Sequence, residues 1–275
     1  MPPKTPTARL THFLAIPLVT PTSRPQLHQA LSVFKEKATQ PNTASLSDGI
    51  PEQAIRPLGT LHLTLGVMSL STPERVQGVL DLLNPLDLGE ILAGVKGANI
   101  RLEGATSDES AGSDPNPEVN GTSSKSQEEQ PSPLPIHITL QGLQSMHDTS
   151  KTSVLYASPL DPDLRLYRFC MKLREVFQEF LVAENRPLLL HATIVNTVYV
   201  KGRVGGARGR GRGGRGGRGK ESLVFDAREL LEEWEDYVWM RGVRVERVAV
   251  LRMGAKVGLS GEEEYEIEGE VDMPA

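Results

Sequence analysis

The stretches LHLTL at residues 61–65 and LHATI at residues 190–194 repeat one pattern in the two halves of a 275-residue chain. On a β-strand successive side chains point to opposite faces. His62 and Thr64 therefore project together, while Leu61, Leu63 and Leu65 turn to the other, core side. His191 and Thr193 do likewise against Leu190, Ala192 and Ile194. If the two strands correspond, each half presents one imidazole and one hydroxyl to a shared groove.

The segments around the two motifs follow the same order. In the first half, residues 10–19 read as a strand and residues 25–37 as a helix with Leu27, Leu31 and Phe34 on one face. Residues 60–68 read as the first motif strand. Thr72 then caps a helix opened by Pro73, with Val76, Val79, Leu80 and Leu83 inward. In the second half, residues 153–158 form a short strand, and Asp161 caps a helix with Pro162 at its first position. That helix has the stripe Leu166, Cys170, Leu173, Phe177, Phe180. Residues 188–200 read as the second motif strand, and Asp226 with Glu229 makes a capping box ahead of Leu230, Leu231 and Trp234. Further strands are expected at residues 136–143, 243–253 and 265–271. Strands alternating with helices, with adjacent β segments near the end, point to an α+β fold. Its expected form is two pseudo-symmetric lobes, each a small antiparallel sheet backed by helices, with a central groove.

Composition bounds the rest. Hydrophobic residues make up 38% of the chain, enough for a sizeable core, and no run of apolar residues is long enough to span a bilayer. The proline- and threonine-rich N-terminus lacks the apolar region of a secretory signal. Residues 1–9 are expected as a disordered tail ahead of a single bilobal domain over residues 10–275. The lone Cys170 sits on the helical stripe, which accounts for it as a core residue, and a reduced intracellular compartment, nucleus or cytoplasm, fits best. The net charge of −5 conceals an asymmetry: residues 201–220 hold eight basic and no acidic residues, leaving 22 basic against 35 acidic elsewhere, a net of −13. Two segments read as inserts without a core of their own. Residues 104–133 are acidic and polar, with Val119 their only branched aliphatic side chain. Residues 202–219 alternate glycine with Arg203, Arg208, Arg210, Arg212, Arg215 and Arg218, a flexible cationic loop that either contacts RNA or is a solvated low-complexity insertion.

Cleaving a phosphodiester requires a base for the attacking oxygen and an acid for the departing one, and histidine titrates unperturbed near neutral pH. Two histidines supply both roles, and fixed threonine hydroxyls can bind the charge that grows on the non-bridging oxygens. His62 and His191 are thus the candidate acid and base, with Thr64 and Thr193 as candidate phosphate binders. One His-x-Thr alone is weak, since any strand with a polar face can produce it. A third copy, IHITL at residues 136–140, makes the point. His137 opens a strand before its half's helix rather than after it and reads as structural, although its pairing with His191 stays open. No His/Cys/carboxylate cluster with ligand spacing accompanies either motif, so neither a metal nor any other cofactor is expected.

These residues resemble the two-histidine phosphoesterase superfamily. THFLAIPL at residues 11–18, LHLTLGVM at 61–68 and LLLHATIVNT at 188–197 look closest to its A-kinase anchoring protein nuclear-localisation-signal branch, which includes a subunit of the activating signal cointegrator complex. The resemblance implies a LigT-like two-lobed fold, no cofactor, and metal-independent action on 2′,3′-cyclic phosphates, 2′,5′-linked oligonucleotides or RNA ends. His62 and His191 would be catalytic, with Thr64 and Thr193 on the phosphate. It also makes coactivator-complex proteins candidate partners of a monomer. Two departures bear on substrate: the chain opens almost at the first strand, leaving no room for the RNA-binding KH module of the cointegrator subunit, and the arginine-glycine insert directly follows the His191 strand. The alternative function is a nucleotide- or RNA-binding adaptor without turnover. A kinase-anchoring scaffold would need an unassigned amphipathic helix, whereas each helix here has its apolar stripe committed to the core.

Overall fold

A computed structural model describes residues 9–41, 49–95, 134–184, 186–200, 223–259 and 261–274. The chain opens with β1 (His12–Pro17), α1 (Arg24–Ala38), β2 (His62–Met68), α2 (Pro73–Leu83) and α3 (Leu88–Ala93). It continues with β3 (His137–Ser145), β4 (Val154–Leu160), α4 (Arg165–Val176), β5 (Ala192–Asn196) and α5 (Arg228–Glu233). The C-terminal part holds β6 (Val238–Arg244), β7 (Arg247–Arg252), β8 (Lys256–Val257), β9 (Glu263–Glu264) and β10 (Ile267–Asp272). Two four-stranded antiparallel sheets result, in the orders β10-β7-β1-β2 and β5-β4-β3-β6, with β8 and β9 forming a separate hairpin. The α+β architecture of two helix-backed antiparallel sheets is the expected one, and each motif strand lies at the end of its sheet.

The local chemistry explains the elements. In α1 Leu27, Leu31 and Phe34 fall on one buried face, Pro25 occupies the first turn, and Lys35 and Lys37 suit the negative end of the helix dipole. Thr72 caps α2 by accepting from the Arg75 amide. Strand β1 is central and buried on both faces. Leu14 and Ile16 enter the large helix-covered core, while Phe13 and Ala15 join a smaller cluster with Ala249 and Leu251 on the opposite face.

The two halves exchange parts more than a simple duplication allows. α1 lies against β6 of the second sheet, where fully buried Phe34 meets Trp234 and Trp239 edge-on at 4.9 and 5.3 Å. Burying such a ring contributes about 1.5–3 kcal/mol. α4 lies against β2 of the first sheet, and its Arg174 donates to the Leu65 carbonyl. The anticipated single strand over residues 243–253 is in fact two strands in different sheets. The alternation slips phase there: Val243 and Val245 are buried, then Val248 and Val250. A phase slip moves the apolar set to the other face, so the chain leaves the second sheet at Arg244 and enters the first at Arg247.

Other boundaries also differ. Helix α4 begins at Arg165 rather than at Pro162, because Leu164 takes a left-handed conformation (φ 56°) just before it. Asp161 still serves the helix, its carboxylate accepting from the amides of Leu166 and Tyr167 at 3.0 and 2.7 Å. The capping box ahead of α5 does not form. Ala227 is the cap residue, and Asp226 instead accepts from the amide and guanidinium of Arg228. Strands β1 and β5 are shorter than the extended runs suggested, and β5 gives way to a 3₁₀ turn at Thr197–Tyr199, where the Asn196 side chain accepts from the Val198 amide. Cys170, Leu166, Leu173 and Phe177 are buried as their spacing required.

Glycine is required at Gly142 in the irregular part of β3, where φ is +73° and a Cβ would stand 2.7 Å from the Glu235 carbonyl oxygen. Gly242 also has positive φ, but a Cβ there would meet nothing. Gly142→Ala should therefore cost ~2–3 kcal/mol in urea unfolding, against about 1 kcal/mol for Gly242→Ala. Equal costs would show that the contact with Glu235 is not what demands glycine.

Candidate functional site

The motif strands β2 and β5, at the ends of their sheets, contact each other. Two backbone stitches hold them. Just before β2, Ile55 bridges Val195 and the Arg56 amide donates to the Ile194 carbonyl at 2.8 Å. Beyond α4, Leu181 bridges Met68 and the Val182 amide donates to the Val67 carbonyl, also at 2.8 Å. Each motif strand is thus bordered by chain from the other half.

Along β2 the alternation is as read: Leu63 and Leu65 are buried, His62 and Thr64 half-buried. His191 stands just ahead of β5, and it and Thr193 are half-buried between buried Leu190, Ala192 and Ile194. The two imidazoles are anchored alike. Nδ1 of His62 lies 2.8 Å from the Thr60 carbonyl oxygen, and Nδ1 of His191 lies 2.8 Å from that of Leu189, in both cases the carbonyl two residues back. A carbonyl only accepts, so each Nδ1 bears a hydrogen and each Nε2 is the nitrogen that can gain or lose a proton. Nε2 of His62 is 3.0 Å from the Thr64 hydroxyl, which donates to it when the ring is neutral.

Aromatic rings wall the site. Phe13 lies 4.8 Å from the His62 ring and Tyr265 meets it perpendicularly at 5.3 Å, while Tyr156 stands 5.3 Å from the His191 ring. Burial lowers the His62 pKa to about 4; the Thr60 carbonyl opposes this, while the charges of Arg56 and His191 add to it. A cavity of about 160 Å³ opens beside His62, lined among others by Arg24, Gly59, Thr60, Arg247 and Tyr265, and His191 is not among its walls.

His137 does not join the pair. It is exposed on β3, in register with Arg244, and β4 separates its strand from β5. The loop arginines Arg203, Arg208, Arg210, Arg212, Arg215 and Arg218 lie outside the described residues, as does the acidic insert. Among the described residues no three His, Cys, Asp or Glu side chains gather as metal ligands, and no helix is long and apolar enough to cross a membrane. Burial pushes the Cys170 thiol well above its ordinary range, which leaves it no nucleophile. The sequence reading missed Arg56, Tyr199 and Tyr265. Arg56 lies in a stretch without strand or helix periodicity, and its one local signal is a cation directly between Ile55 and Pro57.

Known proteins resemble this chain at three levels. The family model described as the AKAP7 2′5′ RNA ligase-like domain matches residues 10–273. An uncharacterised protein of Schizosaccharomyces pombe, C15D4.13c, is 23% identical over 116 residues, a stretch covering 42% of this chain. That match spans 47% of the yeast protein, so the chain corresponds to under half of that relative. Among solved structures, TT0787 of Thermus thermophilus is similar at a TM-score of 0.47 and 14% identity, covering 96% of this chain and 97% of that one. LigT of E. coli, complexed with 3′-AMP, is similar at 0.46 and 12%, covering 97% and 99%.

The depressed pKa of His62 has a testable consequence. The folded value, about 4, lies below the ordinary 6.5, so between them the unfolded ring binds a proton that the native ring refuses. Its contribution to stability is complete above the ordinary value and is lost as pH falls toward the folded one. Across that interval wild type should lose more stability than His62→Gln, and in NMR titration the His62 ring signals should hold steady down to about pH 5. A midpoint near 6.5 would contradict this.

Proposed function

The chain belongs to the AKAP7 2′5′ RNA ligase-like domain family, within the two-histidine phosphoesterases, and from that premise we propose that it hydrolyses nucleotide or RNA phosphodiesters by histidine acid-base catalysis without a metal. The observation that supports this most is the matched anchoring of His62 and His191, each with Nδ1 committed to a carbonyl and Nε2 left for proton transfer. Neutral at ordinary pH, His62 is the candidate base, which leaves His191 as the candidate acid.

In the proposed reaction a phosphodiester enters between the two rings. The Thr64 hydroxyl turns from His62 Nε2 to a non-bridging oxygen, freeing that nitrogen, and Thr193 binds from the other strand. The incoming negative charge offsets the fields of Arg56 and His191 and raises the basicity of His62. His62 then takes a proton from the attacking water as its oxygen bonds to phosphorus. The ester oxygen leaves with the bonding pair and receives a proton from His191. A 2′,3′-cyclic phosphate opens to a monoester by this route, and a 2′,5′ linkage or an RNA end reacts equivalently.

A panel of 2′,3′-cyclic nucleotides, 2′,5′-linked oligonucleotides and short RNAs assayed in EDTA tests the proposal. Turnover should persist in the chelator. His62→Ala and His191→Ala should each lower kcat by ~10²–10⁴-fold, and Thr64→Ala or Thr193→Ala by about tenfold or more. Activity lost to EDTA would indicate a metal enzyme, and tight binding without product would indicate the adaptor.

A further inference from the structure

Arg56 is 6% exposed, yet among the described residues no carboxylate forms an ion pair with it. The arginines lining the neighbouring cavity are matched: Arg24 with Glu262 and Arg247 with Glu270. What Arg56 has is neutral. Its guanidinium lies 3.9 Å from the Tyr199 ring centroid, and Nη2 donates to the Tyr265 hydroxyl over a long 3.4 Å. Tyr265 in turn hydrogen-bonds Tyr199 and presses edge-on against His62, so the two tyrosines hold the cation beside the catalytic candidate. A ring face and one long hydrogen bond offset only part of the cost of burying a charge.

The geometry has a direction. The Tyr199 ring lies against the guanidinium and Tyr265 takes a bond from Nη2, which leaves the rest of the planar N–H fork without a hydrogen-bond partner among the described residues, and such a fork matches the paired oxygens of a phosphate. Among the described residues, no Arg56 nitrogen is both fully buried and unpaired. The Arg56 amide is tied to Ile194 on β5, while its charge is felt at His62 on β2. It therefore sits where the two motif strands approach each other.

We propose that Arg56 binds the substrate phosphate directly, supplying from the protein the positive charge on the non-bridging oxygens, with Tyr199 and Tyr265 holding its guanidinium in place. The assignment rests on the phosphoesterase reading for its substrate, but its anion chemistry can be tested apart from turnover.

The test uses the full chain, with inorganic phosphate and a nucleoside 2′-monophosphate as probes in calorimetric titrations, alongside the phosphodiester assay. Arg56→Gln should weaken both probes about tenfold or more and lower kcat/KM at least as much. Arg56→Lys should restore only part, because an ammonium lacks the planar fork. Affinities within about twofold of wild type in Arg56→Gln, or no binding of either probe by wild type, would overturn the proposal. If Arg56→Gln fails to fold, the Arg56 Nε–H resonance of wild type should move on phosphate addition, and an unmoved resonance would overturn the proposal equally. Phosphate binding lost in Arg56→Gln without turnover of any diester in wild type would sustain the anion site and remove the hydrolase. Undiminished turnover in Arg56→Gln would do the reverse.

Discussion

Two backbone hydrogen bonds between the halves, Arg56 to Ile194 and Val182 to Val67, hold each motif strand against chain from the opposite half, and the candidate site depends on that apposition. Each is worth only about 0.5–1.5 kcal/mol, but their value lies in position. β2 and β5 end their sheets, and an uncovered edge strand exposes a row of unpaired amides and carbonyls. Here each is bordered by chain from the opposite half. Which face each motif shows is fixed within its own sheet, where His62 pairs with Pro17 and Thr193 with Tyr156; a one-residue slip in either ladder would turn those polar side chains toward the core and bring apolar ones out. The exchange of α1 and α4 across the sheets, with Phe34 wedged against two tryptophans, makes the halves one body, so the stitches join parts that cannot drift independently.

On that frame the electrostatics of the site are sharply divided. His62 is enclosed by Phe13 and Tyr265 and kept neutral by its burial, whereas Arg56 brings a permanent charge with no carboxylate beside it among the described residues. On the proposed reading, an anion bound there would satisfy the cation and at the same moment raise the basicity of His62. Elsewhere on the same sheet the arginines are neutralised by glutamates, Arg252 by Glu268 and Arg247 by Glu270, which keeps the attraction local to the groove side of β2.

Much of the fold was legible in the sequence because it is written in local periodicity. The alternation of LHLTL, the helical stripe through Cys170 and the Thr72–Pro73 start of α2 depend on neighbours a few residues apart; the first and last occur as read, and the stripe holds on the helix from Leu166 to Leu173, with Phe177 buried just beyond its end and Phe180 only half-buried. What was not legible depends on distant partners. Nothing near residue 245 says that β7 returns to pair with β1, although the phase slip after Val245 marks the break. The capping box at Asp226 matched a pattern, but Asp226 is engaged by Arg228 instead. Of the candidate site, the placement of the four motif residues on the polar face of their strands was readable from alternation and repetition. Arg56, Tyr199 and Tyr265 were not, because they meet only after chain more than a hundred residues apart is brought together.

The central claim is that one phosphate is handled by two imidazoles from opposite halves. A crystal structure of the protein with a nucleoside vanadate, whose five-coordinate centre resembles the transition state of phosphodiester cleavage, addresses it most directly. The account predicts Nε2 of His62 and Nε2 of His191 both within about 3 Å of vanadate oxygens on opposite sides of the metal centre. Vanadate seated against one ring alone, or held away from both, would contradict it.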